Sequence, residues 1–171
     1  VRLFDVGEDP AGRPWLAMEL LEGESLGARL IRSGPLPADA VLGVLADVAD
    51  ALVEAHGRGI IHRDLKPENI FLQRVGDRDV VKVLDFGVAQ VADRRVTTTG
   101  KTPGTPAYVA PEQAQGGAIG PGADLYALGV VAYELLTGCL PFDAPTALAL
   151  IYQHVQLPPP PMRDRNPDQP V

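Results

Sequence analysis

Only one cysteine, only three lysines and no apolar run of about 18 residues occur in this 171-residue chain. Cys139 has no second thiol to pair with, so an intrachain disulfide is excluded and the sequence fits a reducing compartment, read as cytoplasmic. No basic-then-apolar leader opens the chain, so neither a signal peptide nor a membrane span is expected and no membrane contact from this segment. Positive charge is scarce: 15 Lys and Arg stand against 22 Asp and Glu, and no Lys/Arg-rich run offsets the net −7. That balance excludes a nucleic-acid binder working by phosphate neutralisation.

What is present is an ordinary globular composition, 46% hydrophobic. At this length a fold buries roughly 70% of the surface its unfolded chain exposes, enough for one core. The chain starts on Val1 inside the strand-like VRLFDV, and QLPPPPMRDRNPDQPV at its end carries no helical or strand period. Both ends look cut, so a piece of a longer protein is expected.

VRLFDV and WLAMEL flank the turn formers GEDPAGRP and predict a β-hairpin. GESLGARLIRSG predicts a short helix closing at Gly34. From Pro37 to His56, Val41, Val44, Leu45, Val48, Leu52 and Ala55 recur at spacings of three and four, one core-facing stripe on a long helix. IFL and the VVKVL of 80–84 are strand candidates around VGDRD. Residues 88–122, rich in Thr, Gly and Pro, form a long irregular stretch of the kind that is usually functional. ADLYALGVVAYELLTG (123–138) is apolar on nearly every face, a helix for the middle of the fold stopped by Gly138, and a shorter helix is expected at about 145–155.

Beside this core sits HRDLKPEN (62–69). Asp64, Lys66 and Asn69 on one loop can supply a carboxylate that takes a hydroxyl proton, an ammonium that neutralises a phosphate and an amide oxygen for Mg²⁺. Phosphoryl transfer needs those services. Taken alone, the stretch is better read as a helix-capping loop with salt bridges. Twenty-one residues after Asp64, across a predicted hairpin, Asp85-Phe86-Gly87 offers a second carboxylate at a strand end.

These segments, with Ala110-Pro111-Glu112, GTPAYVAPEQA (104–114), DLYALG (124–129) and YELLTGCLPF (133–142), make the chain resemble the eukaryotic-type Ser/Thr protein kinases of bacteria along nearly its whole length. The resemblance implies an α+β, protein-kinase-like fold: residues 1–22 as the end of the N-lobe and hinge, 23–155 as a mostly helical C-lobe, and 156–171 as a Pro-rich loop. It implies ATP and Mg²⁺ as cofactors, protein Ser/Thr hydroxyls as acceptors, and signal transduction as the setting. Asp64 would accept the hydroxyl proton, Lys66 would contact the γ-phosphate, and Asn69 and Asp85 would hold Mg²⁺. Lys66 also favours the Ser/Thr branch. His62 and Phe86 would stack between the lobes with Leu3 as a third member, and Asp124 would accept hydrogen bonds from the backbone around His62.

In MELLEG (18–23), Met18 would guard the rear of the adenine pocket, Glu19 and Leu21 would bind the base through their backbone, and Phe71 would form its floor. An ordinary strand end with a core Met and Phe is the alternative. Thr97, Thr98 and Thr99 would carry a phosphate drawn to Arg63, placed there by autophosphorylation in a homodimer; a solvated loop and a surface ion pair are the alternatives. Thr105 and Tyr108 would face the substrate.

The family's glycine-rich loop and strand lysine are not in these residues: no GxGxxG occurs and no lysine precedes Lys66. The 171 residues alone are therefore expected to be inactive or nearly so, and Glu112 to lack the arginine that pairs with it in the family. A pseudokinase serving as a binding scaffold is the alternative function, and the intact HRD, DFG and APE speak against it. A small-molecule phosphotransferase of related fold is more remote, because GTPAYVAPE is a platform for protein substrates. The parent could be membrane-anchored with its kinase domain in the cytosol.

Overall fold

A computed structural model of the chain describes residues 1–86 and 106–167. Gly87, Thr97, Thr98, Thr99 and Thr105 lie outside the described residues.

Strands β1 (Leu3–Glu8) and β2 (Pro14–Met18) form the expected antiparallel hairpin, with Leu3 opposite Met18 and Gly7 opposite Trp15. Leu3, Phe4, Val6, Leu16 and Met18 are all exposed on it. The indole of Trp15 lies over Gly7, where an added Cβ would come within 2.6 Å of the ring.

A second, three-stranded antiparallel sheet has the order β3 (Gly23–Ser25), β4 (Ile70–Val75), β5 (Arg78–Val83). The hydrophobic pattern could not reveal β3, whose three residues show no period; its pairing to Leu72 and Gln73 defines it. Gly23 is indispensable there. Its φ is +144°, which side chains rarely adopt, and a Cβ would stand 2.0 Å from the Leu72 carbonyl oxygen. Gly23→Ala is expected to cost roughly 2–4 kcal/mol and lower Tm by roughly 10 °C, read by thermal unfolding followed by circular dichroism. An unchanged Tm would show that β3 does not need this backbone.

Helix α1 (Leu26–Ser33) starts on a Ser25 cap, whose hydroxyl accepts from Ala28 N at 3.1 Å. Helix α2 (Ala38–Gly57) buries Val41, Val48 and Leu52 of the expected stripe. Helix α3 (Pro111–Ala114) follows a 3₁₀ turn at Pro106–Tyr108, so part of the stretch read as irregular is helical. Helix α4 (Pro121–Thr137) is the central helix that the sequence predicts: Ala123, Ala127, Val130, Val131 and Leu135 are buried, while Leu125 faces out. Gly138, with φ +75°, ends it by donating to the Glu134 carbonyl at 2.8 Å. Helix α5 (Ala147–Gln156) is capped by Thr146. A last turn of helix, α6 (Met162–Arg165), corrects the expectation of no helix after Gln156; Pro161 precedes it and the Asn166 amide donates to the Leu136 carbonyl at 2.8 Å, fixing it to α4.

The core lies between α2, α4 and the second sheet, and Leu26, Val48, Leu52, Leu65, Ile70, Val131 and Leu135 are almost wholly buried in it. Each contributes about 1.5–3 kcal/mol. The loop 60–66 emerges from this core directly onto β4, which is how a charged segment comes to rest against apolar packing.

Candidate active site

The loop is held from below by one carboxylate. Asp124, 1% exposed on α4, accepts from His62 N and Arg63 N, each at 2.8 Å, and from His56 Nε2 at 2.7 Å. The expectation for Asp124 is met, and it explains an acid in so apolar a helix: the charge is spread over three donors. Arg63 needs the support because its φ is +70°, a left-handed conformation that is unfavourable for a side chain with a Cβ. His56, which the sequence reading passed over, is a polar residue at the end of an apolar helix; that position was its only signal.

His62 is fully buried. Its Nδ1 lies 3.3 Å from Asp64 N and accepts from it, so Nε2 carries the proton donated to the Leu84 carbonyl at 2.8 Å. The ring packs on Phe86 with centroids 4.9 Å apart. Leu3, the expected third member, is 55% exposed on the hairpin, opposite Met18.

Three charged or polar side chains meet above this support. Lys66 Nζ is 2.8 Å from Asp64 Oδ2, and Asn69 Nδ2 donates to the Asp64 carbonyl at 2.8 Å and lies 3.3 Å from Oδ2. A 3₁₀ turn at Pro67–Asn69 folds Asn69 back toward Asp64. Leu84 N donates to the Asn69 carbonyl at 2.8 Å, so Asp85, the next residue, begins beside Asn69. Asp85 has φ +59°, a turn that ends the line of β5. Asp64, Lys66 and Asn69 are thus brought together by their hydrogen bonds, and one backbone bond, from Leu84 to Asn69, sets the chain leading into Asp85 alongside.

The donor set suits a hard cation. Because Asn69 Nδ2 is spent on Asp64, its amide oxygen could coordinate a cation, and the Asp85 carboxylate would be the second oxygen donor. Two protein oxygens leave the remaining positions to phosphate and water, as Mg²⁺ prefers. Among the described residues no cluster of three or more His, Cys, Asp or Glu forms a cage for another metal.

Of the four residues expected around adenine, three lie along the junction with the second sheet. Glu19 Oε1 is 4.0 Å from Lys82 Nζ, and Arg74 N donates to the Glu22 carbonyl at 2.7 Å, which fixes the segment containing Leu21 to β4. The Phe71 ring touches the same junction, 3.1 Å from the position of a Gly23 Cβ. Met18 is 49% exposed at the end of β2, which corrects the alternative of a core methionine.

The far wall is the segment 106–114. Tyr108 donates to Glu134 Oε2 at 2.6 Å, and burial together with that carboxylate raises its pKa. Burial raises Glu134 as well, against the lowering effect of the Tyr108 bond. Gln113 was not singled out in the sequence, yet it joins the wall to the loop: Oε1 accepts from Ala110 N at 3.0 Å and Nε2 donates to the Arg63 carbonyl at 3.2 Å. Arg63 Nε is buried without a hydrogen-bond partner among the described residues. Glu112 forms no ion pair among them.

Residues 1–161 match the family model described as the protein kinase domain. The chain is 52% identical over 164 residues to the serine/threonine-protein kinase Pkn1 of Myxococcus xanthus, covering 94% of this chain and 23% of that protein. It is 46% identical over 157 residues to PknL, a serine/threonine-protein kinase of Mycobacterium tuberculosis, covering 91% and 38%. The chain therefore spans between about a quarter and two fifths of the length of these curated relatives. The kinase domain of Mycobacterium tuberculosis PknI superposes on 97% of this chain with a TM-score of 0.71 and 31% identity, the match covering 57% of that chain.

Proposed function

We propose, on the premise that this chain belongs to the protein kinase domain family, that its full-length gene product transfers the γ-phosphate of ATP to Ser and Thr hydroxyls of proteins. The observation that carries this reading is the meeting of Asp64, Lys66 and Asn69 within hydrogen-bond distance, next to the Leu84–Asn69 backbone bond that precedes Asp85.

In this reading Asp64 orients the acceptor hydroxyl and takes its proton. Lys66, 2.8 Å from Asp64 Oδ2, neutralises the transferring phosphate as charge develops there. Asn69 and Asp85 hold Mg²⁺, which neutralises the phosphate oxygens when bound. The backbone of Glu19 and Leu21 reads adenine, with Phe71 beneath it and Met18 at the rim. Residues 1–22 act as the end of the smaller lobe and the hinge, and residues 23–155 as the body of the larger. Protein substrates dock on 104–114, and the working compartment is the cytoplasm. Among the described residues no helix is long and apolar enough to cross a membrane.

The test is phosphate transfer by the full-length product to a Ser/Thr protein in the presence of ATP and Mg²⁺. Nucleotide binding without any transfer would favour the scaffold reading instead. The 171 residues alone, without a glycine-rich loop or a lysine before Lys66, should transfer little.

Regulation follows from Arg63. Its Nε–H is a buried donor with nothing to bind among the described residues, and a phosphate on Thr97, Thr98 or Thr99 would supply an acceptor of about −2 charge. Autophosphorylation between two copies is the proposed route. Changing Thr97, Thr98 and Thr99 together to Ala is expected to lower kcat/KM by about tenfold or more, and adding Arg63→Ala should lower it little further, because both changes remove the same pair. Additive losses in the combined variant would show that the threonines act elsewhere.

A further inference from the structure

We infer that His154 is a positioning residue for the protein-substrate platform, holding residues 106–108 to the helix that also holds the catalytic loop. The inference rests on the kinase reading for what the platform does, but its geometry is independent of that reading.

His154 lies near the end of α5 and is 4% exposed. Its Nδ1 is 2.8 Å from the Tyr126 hydroxyl on α4. A phenol donates to an unprotonated ring nitrogen, which leaves the imidazole proton on Nε2. The helix that carries the ring packs on the turn 106–108, and Nε2 is buried without a hydrogen-bond partner among the described residues. The rings of Tyr126 and Phe142 enclose the imidazole, at centroid distances of 5.8 and 4.9 Å and both close to edge-on. Burial holds the ring in its neutral form, the form this arrangement requires.

A leucine would fill this space without the cost of a buried imidazole, so plain packing does not account for the residue. A link does. The platform turn leads to α4 twice: Tyr108 directly through Glu134 Oε2, and the turn as a whole through α5, which packs on it and whose His154 is bonded to Tyr126. Tyr126 stands two residues beyond Asp124, whose carboxylate fixes the backbone at His62 and Arg63. One helix thus sets the loop that carries Asp64 and, through His154, the surface on which a protein acceptor would rest.

The experiment uses the full-length product and the variants His154→Phe, Tyr126→Phe and the pair. Hydrogen exchange of the amides at 106–110 is the first measurement. Either single change should speed exchange there about tenfold with little effect at 70–83, and the pair should match the worse single change, since both remove one hydrogen bond. Steady-state kinetics is the second: KM for a protein substrate should rise about tenfold while KM for ATP stays the same. Unchanged exchange at 106–110, equal loss at 70–83, or additive effects in the pair would overturn the inference. Absence of phosphate transfer by the unmodified protein would overturn the kinase reading, and the exchange result would still decide the role of His154.

Discussion

Asp64→Asn in the full-length gene product is expected to lower kcat by about 10²–10⁴-fold while leaving the Kd for ATP within about twofold. The asparagine is nearly isosteric, so the loop should survive: the Asn69 amide still reaches the residue 64 carbonyl, and Asp124 still holds the amides at 62 and 63. What disappears is the carboxylate. An amide oxygen is a poor base, and it no longer attracts Lys66 Nζ, which lies 2.8 Å from the carboxylate oxygen. In the proposed reading nucleotide binding depends on other groups, the Glu19 to Leu21 backbone and the residues that would hold Mg²⁺, so calorimetric titration with ATP separates the two effects. A kcat within threefold of the unmodified protein would remove Asp64 from the chemistry.

The largest loss of stability is expected from Asp124→Ala. Three donors lose an acceptor that is itself buried: the amides of His62 and Arg63 and the ring of His56. Leaving such donors unsatisfied costs about 1–3 kcal/mol each, and a total of about 3–5 kcal/mol allows for partial relaxation. Tm should fall by roughly 10–15 °C. Activity should fall beyond what stability explains, because the left-handed backbone at Arg63 would lose the two bonds that enforce it and Asp64 would lose its aim. Far-UV circular dichroism melting, with kcat measured well below the lowered Tm, checks both parts. A Tm shift under about 2 °C would mean the loop is anchored elsewhere.

Much of the site was legible because its chemistry is local in sequence. Asp64, Lys66 and Asn69 fall within six residues, and one 3₁₀ turn is enough to bring them together. Asp124 was legible through the family resemblance, which also accounts for an acid opening so apolar a helix. His56, Gln113 and His154 were missed because each acts on a residue distant in the chain: His56 on Asp124, Gln113 on Arg63, His154 on Tyr126. A lone polar residue on an amphipathic helix gives no sign of which distant backbone it will meet. Helices α1, α2, α4 and α5 and the two hairpins followed from their periods and turn residues, whereas the single turns α3 and α6 are too short to show a period. Strand β3 did not follow either, because three residues are too few to show alternation and its pairing with Leu72 and Gln73 is a tertiary event. Likewise, exposure at Leu3 and Met18 could not be read from an alternating apolar hairpin, which looks the same whether or not something covers it.

Trp15 is the sole tryptophan of the chain, and it sits on that hairpin against Gly7, outside the core formed by α2, α4 and the second sheet. Intrinsic emission is therefore a local optical reporter. It responds when the hairpin opens or acquires a neighbour, and says little about melting around Leu52 and Val131, so a fluorescence transition and a dichroism transition in this protein describe different events.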